Sequence, residues 1–142
     1  MHKRWSGKSG WPLGIMVFLA VAGPTGFART NRQIRDGRYL VNKVGMCGDC
    51  HTPRNASGRP LAARELQGAL IAFRPVHPMP GWAARAPAIA GLPKGWSPAQ
   101  MIHFLETGLN PAGERARPPM PAFRFRPRDA RAVTVYLESL KH

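Results

Sequence analysis

Residues 46–51 read Met46-Cys47-Gly48-Asp49-Cys50-His51, and Cys47 and Cys50 are the only two cysteines among the 142 residues. Two intervening residues make one tight turn, which can bring both sulfurs to a single edge while the imidazole of His51 follows directly behind. A fold that contains this turn has to offer two thiols and one imidazole to the same object. That requirement constrains the chain more than any other feature of its sequence.

Four chemistries use such a turn. A redox dithiol of the thioredoxin kind sits at the start of a helix after a buried strand and does not need the histidine; nothing ahead of Cys47 reads as such a strand. A zinc site commonly draws four ligands, often from a second Cys or His pair, whereas His77, His103 and His142 are scattered without ligand spacing. A disulfide across so short a loop would be strained and would stabilise little. The fourth is covalent haem attachment, for which C-x-x-C-H is the signature. In that reading Cys47 and Cys50 form thioethers to the porphyrin, and His51 is the proximal ligand of the iron.

The N-terminal segment bears on which compartment the thiols meet. His2, Lys3, Arg4 and Lys8 form a positive region, Leu13 to Ala22 a short apolar run, and Gly26-Phe27-Ala28 places small residues at the minus-three and minus-one positions. These are the parts of a secretory signal over residues 1–28. The alternative is an uncleaved anchor, although an apolar run of about ten residues is half the roughly twenty needed to span a bilayer. Export suits covalent haem, which is attached outside the bacterial cytoplasm. Cleavage after Ala28 leaves one domain, residues 29–142, in which 13 of the 15 prolines lie. Apolar side chains alone would give so loop-rich a domain a thin core, and a buried porphyrin would complete it. Removing Lys3, Arg4 and Lys8 from the 21 basic residues leaves 18 against 7 acidic ones, about +11 for the mature chain. That field favours acidic partners and speeds their encounter at low salt. Nucleic acid is the other usual partner of a basic chain, but export and the lack of a nucleic-acid motif argue against it.

Local patterns outline three main helices. Gln33 to about Val44 carries Ile34, Gly37, Val41 and Val44 on one stripe, with Gly37 either a point of close approach for another helix or a tolerated surface glycine. Ser97-Pro98-Ala99-Gln100 combines a capping box with proline at the first helical position, and Gly108 closes that helix. Trp96 is placed to staple against its first turn, while Met101 and His103 read as core and surface residues rather than ligands. Pro127 to Leu140 has Val133, Tyr136, Leu137 and Leu140 at i, i+3, i+4 and i+7, with Arg126 as a poor N-cap and Asp129 suited to the helix dipole. Between these lie loops. Residues 61–72 do not separate helix from loop, and five prolines between Phe73 and Pro93 argue against regular structure there, with Trp82 and Ile89 as packing anchors. The Trp82 indole could donate to a haem propionate, with plain packing as its ordinary role. Met120 stands among Pro118, Pro119 and Pro121, which restrict the backbone and can hold a side chain without regular structure.

The order helix, C-x-x-C-H, loops, helix, proline-framed methionine and terminal helix resembles the class I cytochrome c family over nearly all of residues 33–140. The matching stretches are Gly37-Arg38-Tyr39-Leu40, Cys47 to Arg54, Pro118-Pro119-Met120-Pro121 and Asp129 to Leu140. The chain looks most like the small single-haem cytochromes, or cytochrome subunits, that serve periplasmic dehydrogenases. The resemblance implies an all-α class I fold, with three or more helices and long loops wrapped around one covalent haem c, and with its first and last helices crossed. It also implies that Met120 is the distal iron ligand. Met79, in His77-Pro78-Met79-Pro80, is the runner-up, and Met46 is too close to Cys47 to reach the far face. The Arg126 cap and the long middle segment depart from the family pattern and leave the propionate partners open.

The expected function is periplasmic transfer of single electrons to and from redox proteins with acidic docking surfaces, such as a periplasmic dehydrogenase or a terminal oxidase. The membrane is a partner only if the N-terminal segment is retained. A haem enzyme or gas-binding sensor is the alternative. It would need an open iron, with His77 as a distal base.

Overall fold

The computed structural model describes residues 25–140. The signal segment expected over residues 1–28 lies outside them except for its last four residues, which open the first helix. Helix α1 spans Thr25–Tyr39, starting ahead of the expected Gln33, and continues as one π turn, Leu40–Val44. A short helix, α2, follows at Gly48–His51, then a 3-10 turn at Ala62–Arg64, and the two longer helices α3, Pro98–Thr107, and α4, Pro127–Ser139. Loops make up most of the rest.

The π turn has a visible effect on what faces inward. Its Gly45 N–H reaches back five residues to the Leu40 carbonyl at 2.7 Å, and the Cys47 N–H donates to the Val41 carbonyl at 3.0 Å. Val41 is wholly buried, but the wider turn rotates Val44 off the stripe on which a regular helix would hold it, and it is 53% exposed. The same turn delivers the chain to Cys47 at the edge of the core.

Helices α1 and α4 pack closely, and Gly37 is where they meet. A methyl group on Gly37 would overlap the Ala132 carbonyl and come within 2.7 Å of the Tyr136 Cβ. The missing side chain is therefore a close-approach device, and its helix-propensity cost is offset by packing. Asp36 adds an exposed pair of contacts, 3.8 Å to Arg32 within α1 and 3.5 Å to Arg128 on α4. Arg126 is the N-cap of α4 and makes no side-chain cap bond, with Pro127 at the first helical position and Asp129 in the first turn. Ala130, Ala132, Val133, Thr134, Tyr136 and Leu137 are the buried residues of α4, and Thr134 satisfies its hydroxyl on the Ala130 carbonyl at 2.9 Å.

Helix α3 starts with both halves of its capping box in place: the Gln100 N–H donates to Ser97 Oγ at 3.3 Å and the Ser97 N–H to Gln100 Oε1 at 2.8 Å. Gly108 ends it at φ 73°, the left-handed conformation that glycine tolerates best. Trp96 packs edge-on against Phe104, one turn further along α3 than the expected staple. Met101, Phe104 and Leu105 are buried against Val133, Tyr136 and Leu137, and Val41, Leu66, Ile89 and Leu92 complete the core.

One expectation about the loops is corrected. Ala69–Leu70 (β1) and Arg85–Ala86 (β2) pair antiparallel, Ala69 with Ala86 and Leu70 with Arg85. The proline-rich stretch thus holds a two-residue strand, because Pro80 and Pro87 bracket it without falling inside it and both strand residues keep their N–H groups. The fold remains mainly helices and loops. Among the described residues, no helix is long and apolar enough to cross a membrane.

Replacing Gly37 with alanine sets a helix-propensity gain of up to about 1 kcal/mol against an overlap with backbone that cannot move aside. The net expectation is a loss of about 2 kcal/mol, seen as a fall in unfolding temperature of roughly 10 °C for a domain of this size. Thermal denaturation followed by circular dichroism measures it.

Candidate cofactor site

The Cys47 carbonyl accepts from the Cys50 N–H at 3.3 Å and the His51 N–H at 2.9 Å, so a single turn of helix α2 fixes the relation of the three residues. Both cysteines are unbridged and half-buried. Burial pushes the Cys47 thiol up to about 11, partly opposed by a backbone hydrogen bond and reinforced by Cys50. It stays protonated at neutral pH.

His51 is only 5% exposed. Its Nδ1 lies 2.7 Å from the Pro87 carbonyl oxygen, and since a carbonyl can only accept, Nδ1 carries the proton. Nε2 is left with its lone pair free. Burial lowers the His51 pKa, and the bond to the Pro87 carbonyl partly counteracts it. A neutral imidazole oriented through Nδ1 by a backbone carbonyl is the arrangement in which histidine ligates a metal. The backbone around it is tied down in turn. The Gly68 N–H donates to the His51 carbonyl at 2.7 Å, and the buried Leu66 N–H donates to Thr52 Oγ1 at 3.0 Å. Gly68, at φ 82°, packs so tightly on the Pro87 segment that a Cβ would come within 2.8 Å of the Ala88 nitrogen.

Cys47, Cys50 and His51 all line a cavity of about 540 Å³, within the range of small-molecule and cofactor sites. Its walls are mainly apolar. Leu40 and Val41 come from the first helix and its π turn, Met101, Phe104 and Leu105 from α3, and Val133 and Leu137 from α4. A separate loop contributes Ala116, Arg117, Pro119, Met120, Pro121 and Phe123, so that Met120 lines the same space as Cys47, Cys50 and His51. Two thiols at one turn, an imidazole with Nε2 free, a thioether on another loop and an apolar enclosure together fit a covalently held haem. Cys47 and Cys50 would carry the thioether bonds, and His51 and Met120 the axial positions.

Other residues singled out in the sequence fall elsewhere. Met79 is 47% exposed and does not line the cavity. His77 and His103 are exposed and lie outside it. Met101 lines the wall as a buried core residue of α3. Trp82 is not a wall residue either: it packs edge-on against Phe73, and Trp96 is the tryptophan that lines the cavity. Among the described residues, no group of three or more His, Cys, Asp or Glu could hold a metal ion. Sequence patterns missed the Pro87 carbonyl and the Thr52 hydroxyl. The Pro87 contact is a backbone interaction across 36 positions, which residue identity does not encode.

Comparison with known proteins agrees with the site. The chain belongs to the c-type cytochromes: residues 32–137 match the family described as cytochrome C oxidase, cbb3-type, subunit III. Within that class it resembles cytochrome subunits of dehydrogenases. It is 35% identical over 114 residues to the fructose dehydrogenase cytochrome subunit of Gluconobacter japonicus, covering 73% of this chain and 21% of that protein. It is 32% identical over 110 residues to the cytochrome c subunit of the quinone-dependent alcohol dehydrogenase of Gluconobacter oxydans, covering 73% and 23%. A diheme cytochrome c-type protein of Cereibacter sphaeroides is 32% identical over 107 residues, covering 72% and 33%. The chain therefore spans between a fifth and a third of the length of these relatives.

The Thr52 hydroxyl can be tested directly. Thr52→Val keeps the shape but leaves the buried Leu66 N–H without its acceptor, at an expected cost of about 1–3 kcal/mol. Thr52→Ser retains the acceptor and should lose much less. Thermal unfolding gives the cost, and faster hydrogen exchange at the Leu66 amide locates it.

Proposed function

We propose that this chain is an exported one-electron carrier that binds a single haem c through Cys47 and Cys50, with His51 and Met120 as the axial iron ligands. The observation that carries the reading is the shared cavity: four side chains from two separate segments, with the right donor atoms, line one apolar space. When bound, the haem supplies an iron that cycles between two oxidation states. The residues of the chain do the rest. His51, held by the Pro87 carbonyl, keeps Nε2 aimed and neutral. The Met120 thioether, framed by prolines, favours the reduced iron and raises the potential. With His51 and Met120 both holding the iron, little ligand movement would accompany a change of its charge. The apolar walls keep water from the metal.

The partner in this proposal is a redox protein, either a periplasmic dehydrogenase like those named for the relatives or a terminal oxidase. The net charge of about +11 on residues 29–142 favours a partner with an acidic docking face. Residues 1–28 direct export to the periplasm, and residues 29–142 form the cytochrome domain. A gas-binding or catalytic haem would need an open iron and a nearby base. His77, outside the cavity, does not supply the base, and Met120 lines the space that would have to stay open.

A pyridine haemochrome assay on protein expressed with export should report one covalent haem per chain, and none in Cys47→Ala/Cys50→Ala. The oxidised protein should show the weak methionine-to-iron absorption band at the red end of the spectrum. Met120→Ala should abolish that band and Met79→Ala should leave it intact. Loss of the band in Met79→Ala would reverse the distal assignment.

A further inference from the structure

The Met120 loop has no regular structure of its own, yet it must hold a thioether in place. On its C-terminal side it is tied by the Phe125 N–H to the Leu105 carbonyl at 3.0 Å, and by stacking of Phe123 on Phe125. On its N-terminal side the attachment is Arg117. Its Nε donates to the Gly81 carbonyl at 2.9 Å and its Nη2 to the next carbonyl, that of Trp82, at 3.0 Å. The Ala83 N–H completes the seam by donating to the Pro118 carbonyl at 2.7 Å. Three consecutive residues of the middle loop are thus bonded to two consecutive residues of the methionine loop. The Met120 N–H then closes a turn onto the Arg117 carbonyl at 3.1 Å, so side chain and backbone of one arginine connect the seam to the methionine.

We propose that Arg117 is a positioning residue for the iron: its guanidinium clamps the methionine loop to residues 81–82 and so sets how often Met120 leaves the metal. The proposal rests on Met120 being the distal ligand. The clamp depends on the shape of the group and not merely on its charge. A planar guanidinium presents two parallel N–H donors spaced for two adjacent acceptors, and the ammonium of lysine is a point donor. Trp82 anchors the receiving side through its edge-on contact with Phe73. Without the fork, the prolines still restrict the loop's internal shape, but its N-terminal half is held across the gap by the Ala83 bond alone. Opening then becomes a local event that leaves the α1–α4 packing untouched.

The test uses imidazole as a competing ligand for the oxidised holoprotein. Imidazole can occupy only an iron that Met120 has left, so its apparent affinity scales with the open fraction. Arg117→Ala should bind imidazole about tenfold more tightly, the order of effect expected for losing a charge-assisted pair of bonds at a partly solvated site. Covalent haem content and the global unfolding midpoint should be unchanged. Arg117→Lys should fall between Arg117→Ala and wild type. Arg59→Ala removes the same charge from another loop and should leave the affinity at the wild-type value. Wild-type affinity in Arg117→Ala would overturn the clamp, as would an equal shift in Arg59→Ala, which would make net charge the cause. A fall in the global unfolding midpoint that tracks the affinity change would overturn it too, by making the effect general destabilisation. The band of Met120→Ala is read separately: its persistence would refute Met120 ligation itself, whereas its loss together with an unshifted Arg117→Ala would refute only the clamp.

Discussion

The bond from His51 Nδ1 to the Pro87 carbonyl is the interaction on which the remainder depends. It decides the tautomer of a buried imidazole, and so leaves Nε2 as the nitrogen with a free lone pair. A free histidine side chain at the end of a four-residue helix would rotate about two torsions. Here one torsional choice is fixed by an acceptor that belongs to the backbone and cannot itself titrate or turn away. The loop that supplies it is held by Gly68 against the His51 carbonyl and by Leu66, whose own carbonyl accepts from Ile89 and Ala90. Leu66 sits at φ 57°, uncommon for leucine, and is wholly buried. Such strain persists only where surrounding contacts over-determine it.

The two halves of the site are built differently. The thiols and imidazole arise from one turn continuous with the first helix and are backed by the crossing of α1 and α4. The methionine comes from a segment with no helix or strand, whose position is defined by prolines and by bonds to another loop. Rigid packing serves the half that must stay attached. A hydrogen-bonded seam serves the half that carries Met120, where no helix or strand holds the backbone.

Much of this was legible in the sequence, and what was not has identifiable causes. C-x-x-C-H, the Ser97 capping box, the Gly108 stop and the Gly37 approach are local signals, each written by one or a few residues whose chemistry admits few uses. The π turn was missed because nothing in Leu-Val-Asn-Lys-Val departs from a helical pattern; only the fold shows that Val44 is turned outward. The β1–β2 pair was missed because two residues carry no period. Trp82 takes the packing role expected of it, against Phe73, whereas the place of Trp96 in the cavity wall was not legible, because it depends on how the loops are placed around α3. Arg117 reads as one more positive charge in a basic chain. Its role depends on two carbonyls some 35 positions away.

The backbone character of the proximal cradle bears on how such a domain can diverge. The acceptor for His51 is a main-chain oxygen, and the groups that brace it are largely main-chain amides and carbonyls. That bracing therefore depends on the path of the chain more than on residue identity, although Ala86, Pro87 and Ile89 of the same loop also line the cavity. Relatives near one-third identity over about three-quarters of this chain are compatible with such a division of labour.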